Sequence, residues 1–325
     1  MKKCRRNFTF NFSLLTFRCG MTLVEILVSL TIMTIVLGAI YSLLHLQRTK
    51  ALQVQRTTTL QTEAQVALTL LKWDLATVGL AYPRENDALD SYNGGANYID
   101  SISLKAVGLG FEASKVKTSW LLESSSTNQV KVRRMDDSLE NFSVGDTVIV
   151  MNVQREILNP PGELVIQDMD TIEFIGVGGD TFPGWRLTLD NPLSAVAGLV
   201  MINKYSQAYD GMMISVSNNQ LMRGNEVLLE NVEDLQFAYG LDTDDDGVID
   251  TWTHDVPSFA TEGKKWSIRY TLVLASEPMS GYMYPTDQIT IEDHRYNLTD
   301  EQRRRKRAVL TGDVIPINLQ PEGRE

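Results

Sequence analysis

Five carboxylates stand within nine residues at Asp242-Thr243-Asp244-Asp245-Asp246-Gly247-Val248-Ile249-Asp250. Left unpaired they repel one another. Alternate carboxylates with Gly at the sixth place let a chain wrap oxygen ligands around one hard cation. In that reading Asp242, Asp244 and Asp246 supply side-chain oxygens and Val248 its carbonyl. Asp250 binds directly or through water, and Gly247 makes the sharp turn. A full EF-hand needs Glu at the twelfth place, where this chain has Thr253. The flanks also read as strands rather than helices. The expectation is therefore a Ca2+-binding β-hairpin loop of modest affinity, with Kd of about 10⁻⁵–10⁻³ M. A solvated Asp-Gly turn is the competing reading.

A second carboxylate stands alone. Glu25 heads an apolar run, Ile26 to Leu46, that holds 21 residues and no formally charged side chain when His45 is neutral. At ~1.5 Å per residue that is about 31 Å of helix, which matches a hydrocarbon core of roughly 30 Å. A charge in the bilayer centre costs at least ~2.5–3.5 kcal/mol. At the helix start the cost is lower, and an acid there complements the positive end of the helix dipole. A carboxylate taken out of water still calls for a partner.

The elements that must position these groups can be read from periodicity. Lys2, Lys3, Arg5, Arg6 and Arg18 give residues 1–20 five positive charges and no acid, which favours the cytoplasmic side. No A-x-A-like cleavage site follows Leu46, as an ordinary secretory signal would require. Gly20 lies before the apolar run instead, so a cut there would leave the helix on the mature chain with a free amine at Met21. Beyond the run, Leu60, Ala64, Ala67, Leu71, Leu75 and Val78 recur at helical spacing, opposite Gln61, Thr62, Gln65, Thr69 and Lys72. That stripe predicts a helix continuing over 47–82 and packing on a sheet, with a coiled-coil seam as the alternative. Gly79 and Pro83 end it.

From Tyr98 onward short runs rich in Val, Ile, Tyr and Phe alternate with Gly, Asn, Asp and Pro, which predicts strands. Examples are 130–135, 147–153, 227–239, 266–275 and 308–319. Asn218-Asn219 reads as a hairpin turn. The fold class expected is α+β: a long N-terminal helix, membrane-spanning in its first half, on a predominantly antiparallel β-rich head over 83–325.

Composition narrows the function. Loss of residues 1–20 would remove five positive charges and take the net charge from −11 to −16, which speaks against a bulk electrostatic grip on nucleic acid. Both cysteines, Cys4 and Cys19, fall in that leader, so no disulfide would staple the mature head. The histidines are His45, His254 and His294, without the spacing of a zinc site. There is no G-x-S-x-G and no phosphate-cradling Gly loop. Asp136-Asp137 and Glu292-Asp293 read as solvated faces. Arg303-Arg304-Arg305-Lys306-Arg307 reads as a solvated edge that discourages edge pairing, with an ion-pairing or DNA-capturing surface as alternatives.

Gly20 followed by Met21-Thr22-Leu23-Val24-Glu25 and the apolar run resembles the leader junction of type IV prepilins and pseudopilins. The resemblance implies cleavage after Gly20 by prepilin peptidase and methylation of the amine at Met21. It also implies that Glu25 meets the N-terminal amine of a neighbouring subunit. Asn231-Val232-Glu233-Asp234-Leu235-Gln236-Phe237-Ala238-Tyr239-Gly240, the acidic loop, the strand at 267–275 and the basic run are similar to PilW-type minor pilins. That likeness implies a structural subunit of a type IV pilus, not an enzyme, with no organic cofactor. It would sit in the inner membrane of a Gram-negative-type cell, head in the periplasm, and then in an extracellular filament beside other pilins. It would prime the filament or cap its tip. A minor pseudopilin of type II secretion is the near alternative. An adhesin-type module and a membrane-anchored enzyme are further ones.

Overall fold

The computed structural model describes residues 22–83, 88–134, 142–152, 155–158, 163–176, 179–195, 197–203, 209–244, 246–256 and 266–320. Two compact units divide the chain, Met1–Leu60 and Gln61–Glu325. The first contains the start of one α-helix, α1 (Leu23–Thr77). Its apolar span runs Leu23–Ala51, long and apolar enough to cross a membrane. Leu, Ile, Val and Met point outward from it on every side and are exposed. A helix that is apolar all round needs an apolar surrounding.

Within the second unit the same helix becomes one-sided. Ala64, Ala67, Leu71, Leu75 and Val78 are fully buried, and Gln61, Thr62, Gln65, Thr69 and Lys72 are exposed. The stripe packs on sheets, as its spacing predicts, rather than into a coiled-coil seam. Leu60, which would begin the stripe, has its side chain outside the described residues. The helix stops at Thr77. Gly79 comes two residues later with φ +77°, the left-handed turn that Gly makes without steric cost.

Two antiparallel sheets take up the stripe. One runs β1 (Leu89–Tyr92), β2 (Ser101–Leu104), β9 (Met212–Ser217), β10 (Gln220–Arg223), β11 (Glu226–Glu230). The other runs β13 (Thr251–Thr253), β12 (Val232–Leu241), β14 (Trp266–Ala275), β17 (Arg307–Val314). Ile102, Leu104 and Ile214 from the first meet Phe237, Trp266, Ile268 and Leu272 from the second in one core with the helix. The sequence pattern predicts a single strand over 227–239. The chain instead breaks at Asn231, which adopts φ +63°, and β11 and β12 fall in different sheets. Asn218 and Asn219 both have positive φ, which makes the expected two-residue hairpin turn between β9 and β10.

The long connection from β2 to β9 holds a module that periodicity did not separate from the rest of the head. Six strands run β3 (Thr118–Trp120), β8 (Val200–Asn203), β5 (Thr147–Met151), β6 (Leu164–Ile175), β7 (Thr181–Leu189), β4 (Gln129–Arg133). Its two edge strands meet through an antiparallel bridge between Leu121 and Val132, and Leu122 N–H donates to the Lys131 carbonyl at 2.8 Å. The sheet therefore closes on itself, which removes free edges. Its interior is filled by its own core, including Val130, Val148, Leu164, Leu187 and Met201. A two-stranded hairpin, β15 (Gln288–Ile291) and β16 (His294–Asn297), completes the described strands.

Candidate functional site

The helix start comes first. Thr22 immediately precedes α1, and its Oγ1 accepts from the Glu25 N–H at 3.3 Å. The Thr22 carbonyl accepts from Glu25 and Ile26 at 3.0 and 3.2 Å. Thr-x-x-Glu is the sequence of a capping box, and the Thr half of it is formed here. Glu25 lies exposed in the first turn, at the positive end of the helix dipole. Gly20 and Met21 lie outside the described residues.

The acidic loop joins β12 to β13, so strands flank it. Leu241 pairs with Thr251 and Gly240 with Trp252, and the Asp250 N–H donates to the Leu241 carbonyl at 2.9 Å. This ladder brings the two ends of the loop together. Ile249 and Trp252 fold back over Gly240, where a Cβ would lie 2.5 Å from Ile249 Cγ2. One carboxylate oxygen from each of Asp242, Asp244 and Asp250 then lies within 4.8 Å of the others. Asp242 is buried and Asp244 and Asp250 are exposed. Gly247 takes φ +89° and its N–H donates to Asp242 Oδ2 at 2.9 Å.

Of the five expected ligands the fold gathers three side chains. Asp246 turns away: its Oδ1 accepts from the Val248 N–H at 2.8 Å. Asp250 Oδ2 accepts from both the N–H and Oγ1 of Thr243, each at 2.6 Å. The Thr243 hydroxyl, then its N–H, hold the Asp250 carboxyl below its ordinary range. Three clustered carboxylate oxygens suit a hard cation that takes six to eight oxygens. The remainder would have to come from backbone and water.

The basic run is not a solvated edge. Arg303 donates to the Tyr284 carbonyl. Arg307 pairs with Glu233, at 2.7 Å through Nη2, and its guanidinium lies 5.2 Å from the Tyr284 ring centroid. The 276–284 segment covers the backbone of the run, with Ser276, Met279 and Tyr284 N–H groups donating to Lys306, Arg304 and Arg303 carbonyls. Within the run, Arg304 and Lys306 alone are exposed. The spacing of the five basic residues carried no sign of this split.

Glu292-Asp293 is also drawn inward. Thr271 Oγ1 donates to Glu292 Oε1 at 3.0 Å, and Asp293 Oδ1 lies 3.6 Å from His254 Nδ1. The next residue, His294, is buried with its Nδ1 2.9 Å from Asp234 Oδ2. The hairpin turn thus sets Asp293 near His254 and the adjacent His294 against Asp234. Gln236 donates to Asp234 Oδ1 at 2.9 Å, and buried Asp100 accepts from the N–H groups of Phe237 and Gly94, each at 2.8 Å. Burial pushes the carboxyls of Asp234 and Asp100 up from their ordinary value. Asp136-Asp137 lie outside the described residues.

Comparison with known proteins locates two matches. Residues 201–315 match the family model described as Type IV Pilus-assembly protein W. Residues 16–41 match the prokaryotic N-terminal methylation motif. The first match takes in β8 to β17, hence the second sheet, the acidic loop and the β15–β16 hairpin; it does not reach β3 to β7. Neither a curated protein nor a solved structure matches the chain.

Proposed function

From a chain that is a PilW-like type IV pilin with a prepilin-type methylation motif, anchored by its N-terminal helix, we propose a minor pilin that primes a filament or sits at its tip. It is cut after Gly20, methylated at Met21, and packed into a bundle of parallel helices. Glu25 accepts from the N-terminal amine of a neighbouring subunit, which gives the carboxylate the partner it needs in a dry environment. The observation that carries this reading is the pairing of a methylation motif over 16–41 with a PilW-type head over 201–315.

The helix start supports it. With α1 beginning at Leu23 and Thr22 capping it, a cut after Gly20 leaves the cap and the whole apolar span on the mature protein. Families of this kind are structural rather than catalytic. The head would lie in the periplasm before assembly and on the filament afterwards. Mature cysteines are absent after such a cut, and the 242–250 loop would stand in for a disulfide. Asp242, Asp244 and Asp250 would hold Ca2+ and tie the end of β12 to the start of β13, so that ion binding adds to folding stability.

Mass spectrometry of the N-terminus of protein recovered from membranes tests the central claim. The expected product begins at Met21 and carries one methyl group on its amine. A chain that keeps its first twenty residues, or one cut beyond Leu46, overturns it.

A further inference from the structure

One cleft in the 61–325 unit takes no part in helix bundling or in the acidic loop. It encloses about 200 Å3 beside α1. Leu70, Leu109 and Leu228 line its apolar part, and Asp74, Glu112, Glu226 and Arg223 its polar part. Small-molecule sites run to roughly 300–1,000 Å3, so this one suits a single long side chain rather than a cofactor.

Its charge is unbalanced. Three carboxylates face one guanidinium, and that guanidinium is already paired: Arg223 Nε and Nη2 donate to Asp74 at 2.6 and 3.2 Å. Glu112 Oε2 is buried and has no hydrogen-bond partner among the described residues. A buried carboxylate oxygen without a donor is unfavourable until one arrives. At the mouth, Phe111 is 59 % exposed and Trp73 41 % exposed. The two rings stack edge to face with centroids 4.0 Å apart. Exposed Trp and Phe beside a small pocket mark the kind of anchor point at which partner proteins bind.

We propose that this cleft receives an arginine side chain presented by a partner protein. Arginine fits better than lysine, because its planar fork stacks on an aromatic face and donates in pairs to a carboxylate, whereas an ammonium is a compact, strongly hydrated charge. Phe111 would carry the stacking and Glu112 and Glu226 the charge. That the partner is a neighbouring subunit rests on the pilin reading. The chemistry of the cleft does not, and a binding titration on the isolated chain is indifferent to filament incorporation.

The test uses the full chain in detergent micelles with labelled Leu methyl groups, titrated with N-acetyl-arginine amide. The methyl signals of Leu70, Leu109 and Leu228 are expected to shift in a saturable way. The isosteric neutral N-acetyl-citrulline amide should bind at least tenfold more weakly. E112Q with E226Q should weaken the arginine response at least tenfold, and Phe111→Leu should weaken it severalfold. An equal response to citrulline, or an arginine response unchanged in the double Glu variant, overturns the proposal. A concentration-dependent shift of the same methyls without probe that Arg304→Ala abolishes supports it, with a second copy of this chain as the partner that presents the arginine.

Discussion

Asp234 and His294 meet at 2.9 Å inside the head, 60 residues apart in sequence and both buried. The contact ties the β15–β16 hairpin to β12. An isolated two-stranded hairpin is marginally stable at best, so its place depends on contacts of this kind and on Ile289 and Ile291 packing against Val273.

Burial raises the Asp234 carboxyl above its ordinary value, against the pull of Gln236 and His294. The folded state therefore binds this proton more tightly than the unfolded chain. The associated stability is fully present below an unfolded value of about 3.9, and it is lost as pH rises through the folded pKa. Asp100 acts in the same direction. Asp234→Asn should make the melting temperature of the head fall less steeply as pH is raised from about 4. Thermal melts of wild type and variant across that range decide it, and parallel pH profiles would refute the linkage.

The helical stripe predicts a contrast between neighbours. Leu71 is fully buried between helix and sheets, and Val66 lies exposed. Leu71→Ala should destabilise the head by about 2–5 kcal/mol. Val66→Ala should change it by no more than about 0.5 kcal/mol. Denaturant unfolding followed by the buried Trp266 would measure both.

Loop geometry can be probed without any ion. A Cβ at Gly240 would lie 2.5 Å from Ile249 Cγ2 and 3.0 Å from the Trp252 ring. Gly240→Ala should cost about 1–3 kcal/mol, the range for overpacking. Unfolding in chelator reads this out, and an undisturbed stability would mean that the fold-back over Gly240 is loose.

Calcium should raise the melting temperature if the loop clips β12 to β13. At about 100 times Kd a ligand that binds only the folded state adds about 2.7 kcal/mol. Asp244→Asn and Asp250→Asn should each shrink the difference between melts in millimolar calcium and in chelator. Identical wild-type melts in the two conditions would remove the ion from the loop.

For the N-terminus, Glu25→Ala is expected to be cleaved and methylated normally but to be missing from sheared filaments. Gly20→Leu should accumulate as full-length precursor in the membrane. Immunoblots of membrane and filament fractions separate these outcomes. Normal incorporation of Glu25→Ala would leave the carboxylate without its proposed role.

Local pattern settled a good part of this protein. The apolar span after Glu25, the stripe from Ala64 to Val78 and the strand at 266–275 were legible because each rests on contacts or periodicities internal to one segment. The resemblance at Gly20 to Glu25 was legible for the same reason, being a contiguous run. Tertiary structure decided what depends on partners far along the chain. The six-stranded module hangs on Thr118 pairing with Ile202 and Gln129 with Thr188, and nothing in those strands' own alternation names such distant partners. A lone Asn231 turns one apparent strand into two that belong to different sheets. The Arg303–Arg307 run and Glu292-Asp293 look solvated in sequence, because charge by itself reads as exposed. Arg303, Arg307 and Glu292-Asp293 are drawn inward by Tyr284, Glu233, Thr271 and His254, while Arg304 and Lys306 stay exposed, and only the fold makes that division. The cleft between Asp74 and Arg223 joins residues 149 positions apart, a distance over which side-chain spacing carries no information.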